Sequence, residues 1–243
     1  MEVVLEMEQY SILGVNVTDV TYQQLYENVK DHIDNGSGLK LVFTPNPEII
    51  YMAQFDPDIK TMLNSSDINL PDGIGVLIAS KMLGHPIKER ITGIDTMLYL
   101  CEKKAGSVFL FGSKPGIAEL AAIELEKRYP GLKVVGFHDG YFQDDSKMVE
   151  LINRSGADIV FVGLGAPKQE NWLVKNKDKL QPKVAMVIGG SMDVISGTKK
   201  RAPQIFQKLN VEWVFRFFQE PSRFMRIIVL PKFLLRVILN CKK

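Results

Sequence analysis

The feature that most constrains the fold is a series of short apolar runs that end at loops rich in Gly, Pro or Asn. Residues 41–43, 67–70, 107–112, 133–137, 159–163 and 184–189 form this series. Helical patterns separate most of the runs, as between Thr21, a suitable N-cap, and Asn35. Strands that are apolar on both faces and alternate with helices indicate a mostly parallel sheet. We therefore predict an α/β, Rossmann-like fold with helices on both faces of the sheet, preceded by a strand over residues 11–17 that bends at Gly14.

The composition of the chain changes near Gly197. From Lys199 onward there are eleven Lys or Arg and two acidic residues, whereas the preceding residues carry 19 basic and 26 acidic ones. An acidic body joined to a basic tail suggests an anionic partner. We predict an α/β core over residues 1–197 and a basic, amphipathic helical appendage over 198–243, which Pro221 and Pro231 divide into short helices.

Three arginines of this tail, Arg216, Arg223 and Arg226, are spaced seven and three residues apart. This spacing places them on one face if the helix is continuous. Guanidinium groups bind phosphate oxygens in pairs, and the interleaved Phe and Leu residues form an apolar face beside them. The pattern is typical of a helix on an anionic membrane, which we expect as the partner rather than nucleic acid. A buried protein interface is the other alternative.

The cysteine content and the N-terminus bear on the compartment. Two cysteines, Cys101 and Cys241, do not suggest a disulfide framework. The first residues lack the basic and apolar regions of a signal peptide, and no apolar run approaches the length of a spanning helix. We therefore expect a cytoplasmic protein at the inner face of the cell membrane.

Two loops that follow apolar runs carry the polar groups of a candidate site. Thr44 and Asn46 follow the run at 41–43, while Asp72 and Gly73 follow the run at 67–70. Ligands of open α/β sheets bind at the carboxyl ends of strands, so these groups are expected around one crevice. Asp72 lies between Pro and Gly, so it is also a good turn former.

Glycine-rich loops follow three further runs. The loop at 112–116 opens a helix, but its Gly-x-x-x-Gly spacing is a weak nucleotide motif. In the loop at 163–170, the glycines permit close approach of a ligand, and Lys168 and Gln169 could bind a diphosphate or a base. In the loop at 189–193, Asp193 could accept hydrogen bonds from a ribose or a uracil, or act as an N-cap. The predicted binding residues of these loops are Gly163, Gly165, Lys168, Gln169, Gly190 and Asp193.

Patterns for other chemistries are weak. The histidines His32, His85 and His138 have no metal-ligand spacing, and no Gly-x-Ser-x-Gly elbow is present. The Asp-x-Asp at Asp56 and Asp58 resembles a metal motif of some glycosyltransferases, but it also suits a helix cap. An oxidoreductase or methyltransferase remains an alternative, although Gly-x-Gly-x-x-Gly is absent. A membrane scaffold without catalytic activity would not require polar loops at several strand ends.

Five motifs, taken in order, resemble those of the WecG/TagA/CpsF bacterial glycosyltransferases. They lie at residues 44–48, 70–75, 90–93, 163–170 and 212–223, and the resemblance extends from about residue 12 to 226. The resemblance implies an inverting, metal-independent transferase with a UDP-sugar donor and no cofactor. In the Gram-positive branch, N-acetylmannosamine is transferred in β-1,4 linkage to GlcNAc on undecaprenyl diphosphate in wall teichoic acid synthesis. Related members use ManNAcA or glucose, and the family core tends to self-associate, which suggests a homo-oligomer.

The resemblance also suggests roles for individual residues. Asp72 would be the general base for the attacking hydroxyl, Thr44 would bind the sugar or orient the base, and Asn46 would hold the donor. Gly73 and Arg90 lie in matching motifs and are predicted to bind substrate. The loop at 163–169, together with Arg216, Arg223 or Arg226, would stabilise the leaving diphosphate.

Overall fold

The computed structural model describes residues 7–208, 212–219 and 224–241. The strands in these ranges are β1 (Glu8–Ile12), β2 (Val15–Asp19), β3 (Lys40–Phe43), β4 (Ile68–Asn69), β5 (Val108–Gly112), β6 (Val134–His138), β7 (Ile159–Gly163) and β8 (Val184–Val187). The last six form one parallel sheet in the spatial order β4-β3-β8-β7-β5-β6. The predicted α/β architecture is confirmed.

Helices connect the strands. They are α1 (Tyr22–Asn35), α2 (Pro47–Met52), α3 (Pro57–Asn64), α4 (Ile74–Met82), α5 (Gly93–Glu102), α6 (Ile117–Arg128), α7 (Asp145–Ser155), α8 (Lys168–Asn176), α9 (Ser191–Ile195), α10 (Gln204–Lys208), α11 (Glu212–Gln219) and α12 (Phe224–Cys241). The predicted start of α1 is confirmed, because Thr21 and Gln24 form a reciprocal capping box.

The sheet is covered on both faces. Along β7, Val160 and Val162 pack into one hydrophobic cluster, whereas Ile159 and Phe161 pack into the other. The first cluster includes residues from α2, α3, α4, α7, α8 and α12, and the second includes residues from α1, α5, α6 and α9. This two-sided burial explains why the strands are apolar without alternation.

Residues 11–17 span the ends of two strands and the turn that joins them, not a single bent strand. Ile12 and Val15 are paired in the antiparallel β1–β2 hairpin, and the intervening Leu13 and Gly14 have φ values of 54° and 82°. Two positive φ angles suit a two-residue hairpin turn, whose twist matches that of the strands. The expectation of one strand was wrong because Leu13 gives no local signal of a positive φ.

The C-terminal helix α12 also differs from the expectation. It passes through Pro231, where we predicted a break, and packs against α2 and α4. Phe233 and Val237 are fully buried, and Leu230 lies against Gly75. This packing on both sides of Pro231 outweighs the one backbone hydrogen bond that proline removes. Among the described residues, no helix has the length and apolar character required to cross a bilayer.

Candidate active site

A cleft of about 1000 Å³ opens at the carboxyl ends of the parallel strands. The chain leaves β5 toward β6 and leaves the neighbouring β7 toward β8, so the two connections diverge at this edge. Such a divergence is the usual ligand site of an open α/β sheet. The cleft is lined by the candidate residues Thr44, Asn46, Asp72, Gly73, Arg90, Gly163, Gly165, Lys168, Gln169, Gly190 and Asp193. The structure therefore brings together residues that lie up to 149 positions apart in the sequence.

Besides α11, which starts at Glu212, four helices of eight or more residues in the described part of the chain begin at the cleft. They are α4, α5, α6 and α8, whose first residues, Ile74, Gly93, Ile117 and Lys168, line its wall. The unpaired N–H groups and the positive dipole end of a helix N-terminus favour anions. Their convergence makes the cleft suited to a ligand that carries phosphate groups.

Part of the cleft is lined by glycine backbone at the ends of the strands: Gly163 and Gly189 line it directly, and Gly112 packs against Gly163. We call Gly112 and Gly163, the last residues of β5 and β7, and Gly189, which lies just after β8, the glycine floor. A Cβ atom on Gly163 would lie 2.7 Å from the carbonyl oxygen of Gly189, and one on Gly112 would collide with the backbone of Gly163. Ser113 N donates to Gly163 O at 3.0 Å. The three loops thus approach so closely that side chains are excluded between them.

Gln169 ties two loops of the floor together. Its Oε1 accepts hydrogen bonds from Gly165 N and Gly189 N, both at 3.2 Å, and its Nε2 donates to Glu170 Oε1 at 2.9 Å. The side chain is buried. Gln169 lines the cleft, and these contacts use its side chain to hold the loops that follow β7 and β8. A contact of Gln169 with a diphosphate or a base stays a prediction.

Glu170 is a buried acid at the edge of the floor. Its Oε2 is buried and has no hydrogen-bond partner in the described part of the chain. Burial raises the pKa of this carboxyl above its usual value, and the hydrogen bond from Gln169 partly opposes the shift. Glu170 lies in a motif that the sequence analysis singled out, but its burial could not be read from that motif.

Another part of the cleft presents side chains, and we call Thr44, Asn46 and Asp72, which line it, the polar wall. Asn46 caps α2 by accepting from Glu48 N at 3.0 Å and Ile49 N at 3.2 Å, so its Nδ2 is the group that it can offer to a ligand. Asp72 is half-buried and directly precedes Gly73, whose φ of +89° turns the chain into α4. Asp72 therefore lies at the turn that begins α4.

The appendage reaches the cleft through an ion pair. Arg90 Nη2 lies 2.5 Å from Glu212 Oε1, and the two side chains are 15% and 10% exposed. Glu212 begins α11 and lies 122 positions from Arg90. The sequence analysis identified Arg90 but missed its partner, because a pair so distant along the chain leaves no local pattern.

A basic segment that the sequence analysis assigned to the tail also lines the cleft. It comprises Lys199, Lys200 and Arg201. Lys199 Nζ lies 3.0 Å from Asp193 Oδ2, and Arg201 pairs with Asp95. The N-cap of α9 is Gly190, so the alternative interpretation of Asp193 as an N-cap is wrong.

Two further sets of candidate residues have different outcomes. Asp56 Oδ1 accepts from Asp58 N and Ile59 N, which makes it the cap of α3. Within 7–208, 212–219 and 224–241, no group of three or more His, Cys, Asp or Glu residues is arranged to hold a metal ion. Arg223 and the side chains of Arg216 and Arg226 lie outside the described residues.

Comparison with known proteins gives the family. Residues 10–243 match the glycosyl transferase WecG/TagA/CpsF family. The chain is 37% identical over 212 residues to the N-acetylglucosaminyldiphosphoundecaprenol N-acetyl-beta-D-mannosaminyltransferase of Bacillus subtilis, covering 86% of this chain and 82% of the relative. It is 36% identical over 231 residues to the protein of the same name from Staphylococcus aureus MRSA252, covering 93% and 91%. With a parallel α/β core and its family motifs gathered in one cleft, the chain belongs to the WecG/TagA/CpsF family of glycosyl transferases.

Proposed function

We propose that this enzyme transfers N-acetylmannosamine from UDP-ManNAc to the C4 hydroxyl of GlcNAc-diphospho-undecaprenol, forming a β-1,4 linkage in wall teichoic acid linkage-unit synthesis. The names of the relatives support this donor sugar and this acceptor. The observation that carries the proposal is the cleft itself, which brings a carboxylate, a hydroxyl and an amide together with helix N-termini that suit a diphosphate. Membership of a glycosyl transferase family argues against an oxidoreductase or a methyltransferase.

The proposed mechanism is a single displacement. Asp72 removes the proton from the acceptor C4 hydroxyl as that oxygen attacks the anomeric carbon, and the bond to the UDP oxygen breaks on the opposite face. One displacement inverts the anomeric configuration. A positioned base of this kind typically contributes about 10²–10⁴-fold to the rate. Thr44 orients the sugar or the base, and the amide of Asn46 donates to the donor substrate.

The leaving UDP carries the negative charge that develops in the transition state. The starts of α6 and α8 already lie at the cleft, so their N–H groups can stabilise this charge without reorganisation. Lys114, Lys168 and Lys200 also line the cleft and add positive charge. This arrangement supports a reaction that requires no metal ion.

We expect the enzyme to bind the inner face of the cell membrane through its appendage. On α12, Leu235, Ile238 and Leu239 are 57%, 41% and 53% exposed, and Lys232 and Arg236 are exposed on the same helix. An exposed apolar face with adjacent cations suits an anionic bilayer surface. A K232Q/R236Q double variant should sediment less with anionic liposomes, and unchanged sedimentation would contradict this role.

The proposed reaction is tested by UDP release from UDP-ManNAc in the presence of a GlcNAc-diphospho-lipid acceptor and EDTA. Acceptor-dependent release is the expected result. Activity that returns only after Mg²⁺ or Mn²⁺ is added would contradict metal independence. Parallel reactions with UDP-ManNAcA and UDP-glucose identify the preferred donor sugar. Faster release of UDP from either would favour a transferase for a different surface polysaccharide.

A further inference from the structure

A second concave surface lies beside the candidate active site, between the core and α12. One wall consists of Tyr51, Met52, Phe55 and Ile59, from α2, α3 and the turn that joins them, while Ile228 and Val229 of α12 form the other. We call it the apolar groove. Its volume is about 430 Å³, within the roughly 300–1,000 Å³ of small-molecule sites.

The side chains that line the groove are suited to an apolar ligand. The rings of Tyr51 and Phe55 pack edge to face with centroids 5.1 Å apart, yet Phe55 remains 66% exposed. Asp56 is the acidic residue of the lining, and its carboxylate is engaged in capping α3. Exposed aromatic and aliphatic side chains around a concave surface favour burial of a hydrocarbon.

The groove adjoins the cleft. Met52, the last residue of α2, lines both of them. At the other end of the same helix, Asn46 belongs to the polar wall. A ligand whose polar end occupies the cleft could therefore extend along α2 into the groove.

Cations lie at the groove on the side of α12. Lys232 lines it, and the Arg236 guanidinium lies 5.9 Å from the centre of the Phe55 ring. An apolar channel with positive charge beside it complements a molecule that joins a hydrocarbon chain to a diphosphate.

We infer that the apolar groove binds the first isoprenyl units of the acceptor, next to its diphosphate. This inference rests on the proposed function, which supplies a polyprenyl-diphosphate acceptor. The groove would select the acceptor by its lipid and would direct the attached sugar into the cleft. The exposed residues Leu235 and Leu239 of α12 would instead face the bilayer.

The kinetic test uses a variant whose larger side chain fills the groove and compares two acceptors. The assays are run in detergent micelles, where binding to a bilayer plays no part. Val229→Trp occupies the groove, and Ile123→Trp, an exposed position on α6, is the matched control. We expect Val229→Trp to lower kcat/KM about tenfold for GlcNAc-diphospho-undecaprenol and to leave it unchanged for the methyl ester of GlcNAc-diphosphate, which has no hydrocarbon chain to enter the groove. Equal losses for both acceptors, or no loss for the prenyl acceptor, would overturn the inference.

A binding measurement separates this inference from the proposed reaction. A farnesyl diphosphate carrying a diazirine is photolysed with the wild-type full chain, and the labelled peptides are identified by mass spectrometry. Labelling within 51–59 or 228–232 that Val229→Trp abolishes would support the groove, even if no transfer to GlcNAc is found. Labelling confined to 235–239, or unaffected by Val229→Trp, would show adsorption to the exposed helix and overturn it.

Discussion

The glycine floor and the polar wall belong to one cleft but are built in opposite ways. The floor presents backbone, because Gly112, Gly163 and Gly189 approach too closely for side chains. The wall presents the side chains of Thr44, Asn46 and Asp72 on turns that open α2 and α4. Backbone N–H groups at helix starts bind phosphates, which many sugar donors share. Proton transfer in contrast requires an ionisable side chain. We therefore expect changes to the wall to affect turnover and changes to the floor to affect donor binding and stability.

The largest expected effect is on the wall. Asp72→Asn keeps the size of the side chain but removes the base, so kcat should fall by about 10²–10⁴-fold. The dissociation constant of UDP should stay within about twofold, because the floor is intact. Calorimetry with UDP and a turnover assay measure the two quantities. Asp58→Asn, at an exposed position in α3, is the control and should retain full activity. Normal turnover of the Asp72 variant would remove this residue from the mechanism.

The next largest effect is expected at Gln169. Gln169→Ala leaves Gly165 N, Gly189 N and Glu170 Oε1 without their partner. An unsatisfied buried group costs about 1–3 kcal/mol, and three groups are affected here. Unfolding in urea should show a decrease in the free energy of unfolding near the upper end of that range. The KM for the donor should rise more than kcat falls, whereas a pure kcat effect would contradict a loop-holding role.

A smaller effect is expected from filling the floor. The Cβ of Gly163→Ala would lie 2.7 Å from Gly189 O and 2.8 Å from the Met192 methyl carbon. Overpacking of this kind costs about 1–3 kcal/mol and should push the two loops apart. Gly190→Ala is the stability control, since its nearest contact would be Asp193 Oδ2 at 3.4 Å. If both alanine variants melt at the same temperature, the floor is less tightly packed than the structure indicates.

The smallest expected effect is the dependence of the free energy of unfolding on pH through Glu170. Because burial raises the pKa of Glu170, the folded state binds more protons than the unfolded state just above the ordinary value of 4.5. The free energy of unfolding contributed by this group therefore falls as pH rises from 4.5 to its folded pKa and is constant above it. Glu170→Gln should gain stability relative to the wild type between pH 4 and pH 8. Urea unfolding at both pH values measures this difference, and a gain that is the same at both would argue against an ionisable, strained Glu170.

The two sides of the cleft also differ in how well the sequence predicts them. Asp72 and Thr44 follow apolar runs directly, so the rule that ligands bind at strand ends was enough to group them. In contrast, the role of Gln169 depends on Gly189, twenty residues away, and the Glu212 partner of Arg90 is 122 residues away. Such contacts depend on which strands are neighbours, and a strand pattern does not encode the order β8-β7-β5.

The sequence by itself determined the α/β class, the positions of most strands and helices, and many of the residues that line the cleft, because apolar periodicity and capping are local properties. The tertiary structure decided that Pro231 lies inside α12, that Lys199 and Arg201 line the cleft, and that α12 meets α2 to form the apolar groove. The physical reason is that burial of Phe233 and Val237 against the core outweighs the local preference of proline. That burial arises only when folding brings α12 against the core, and neither the sequence of α12 nor that of the core shows it alone.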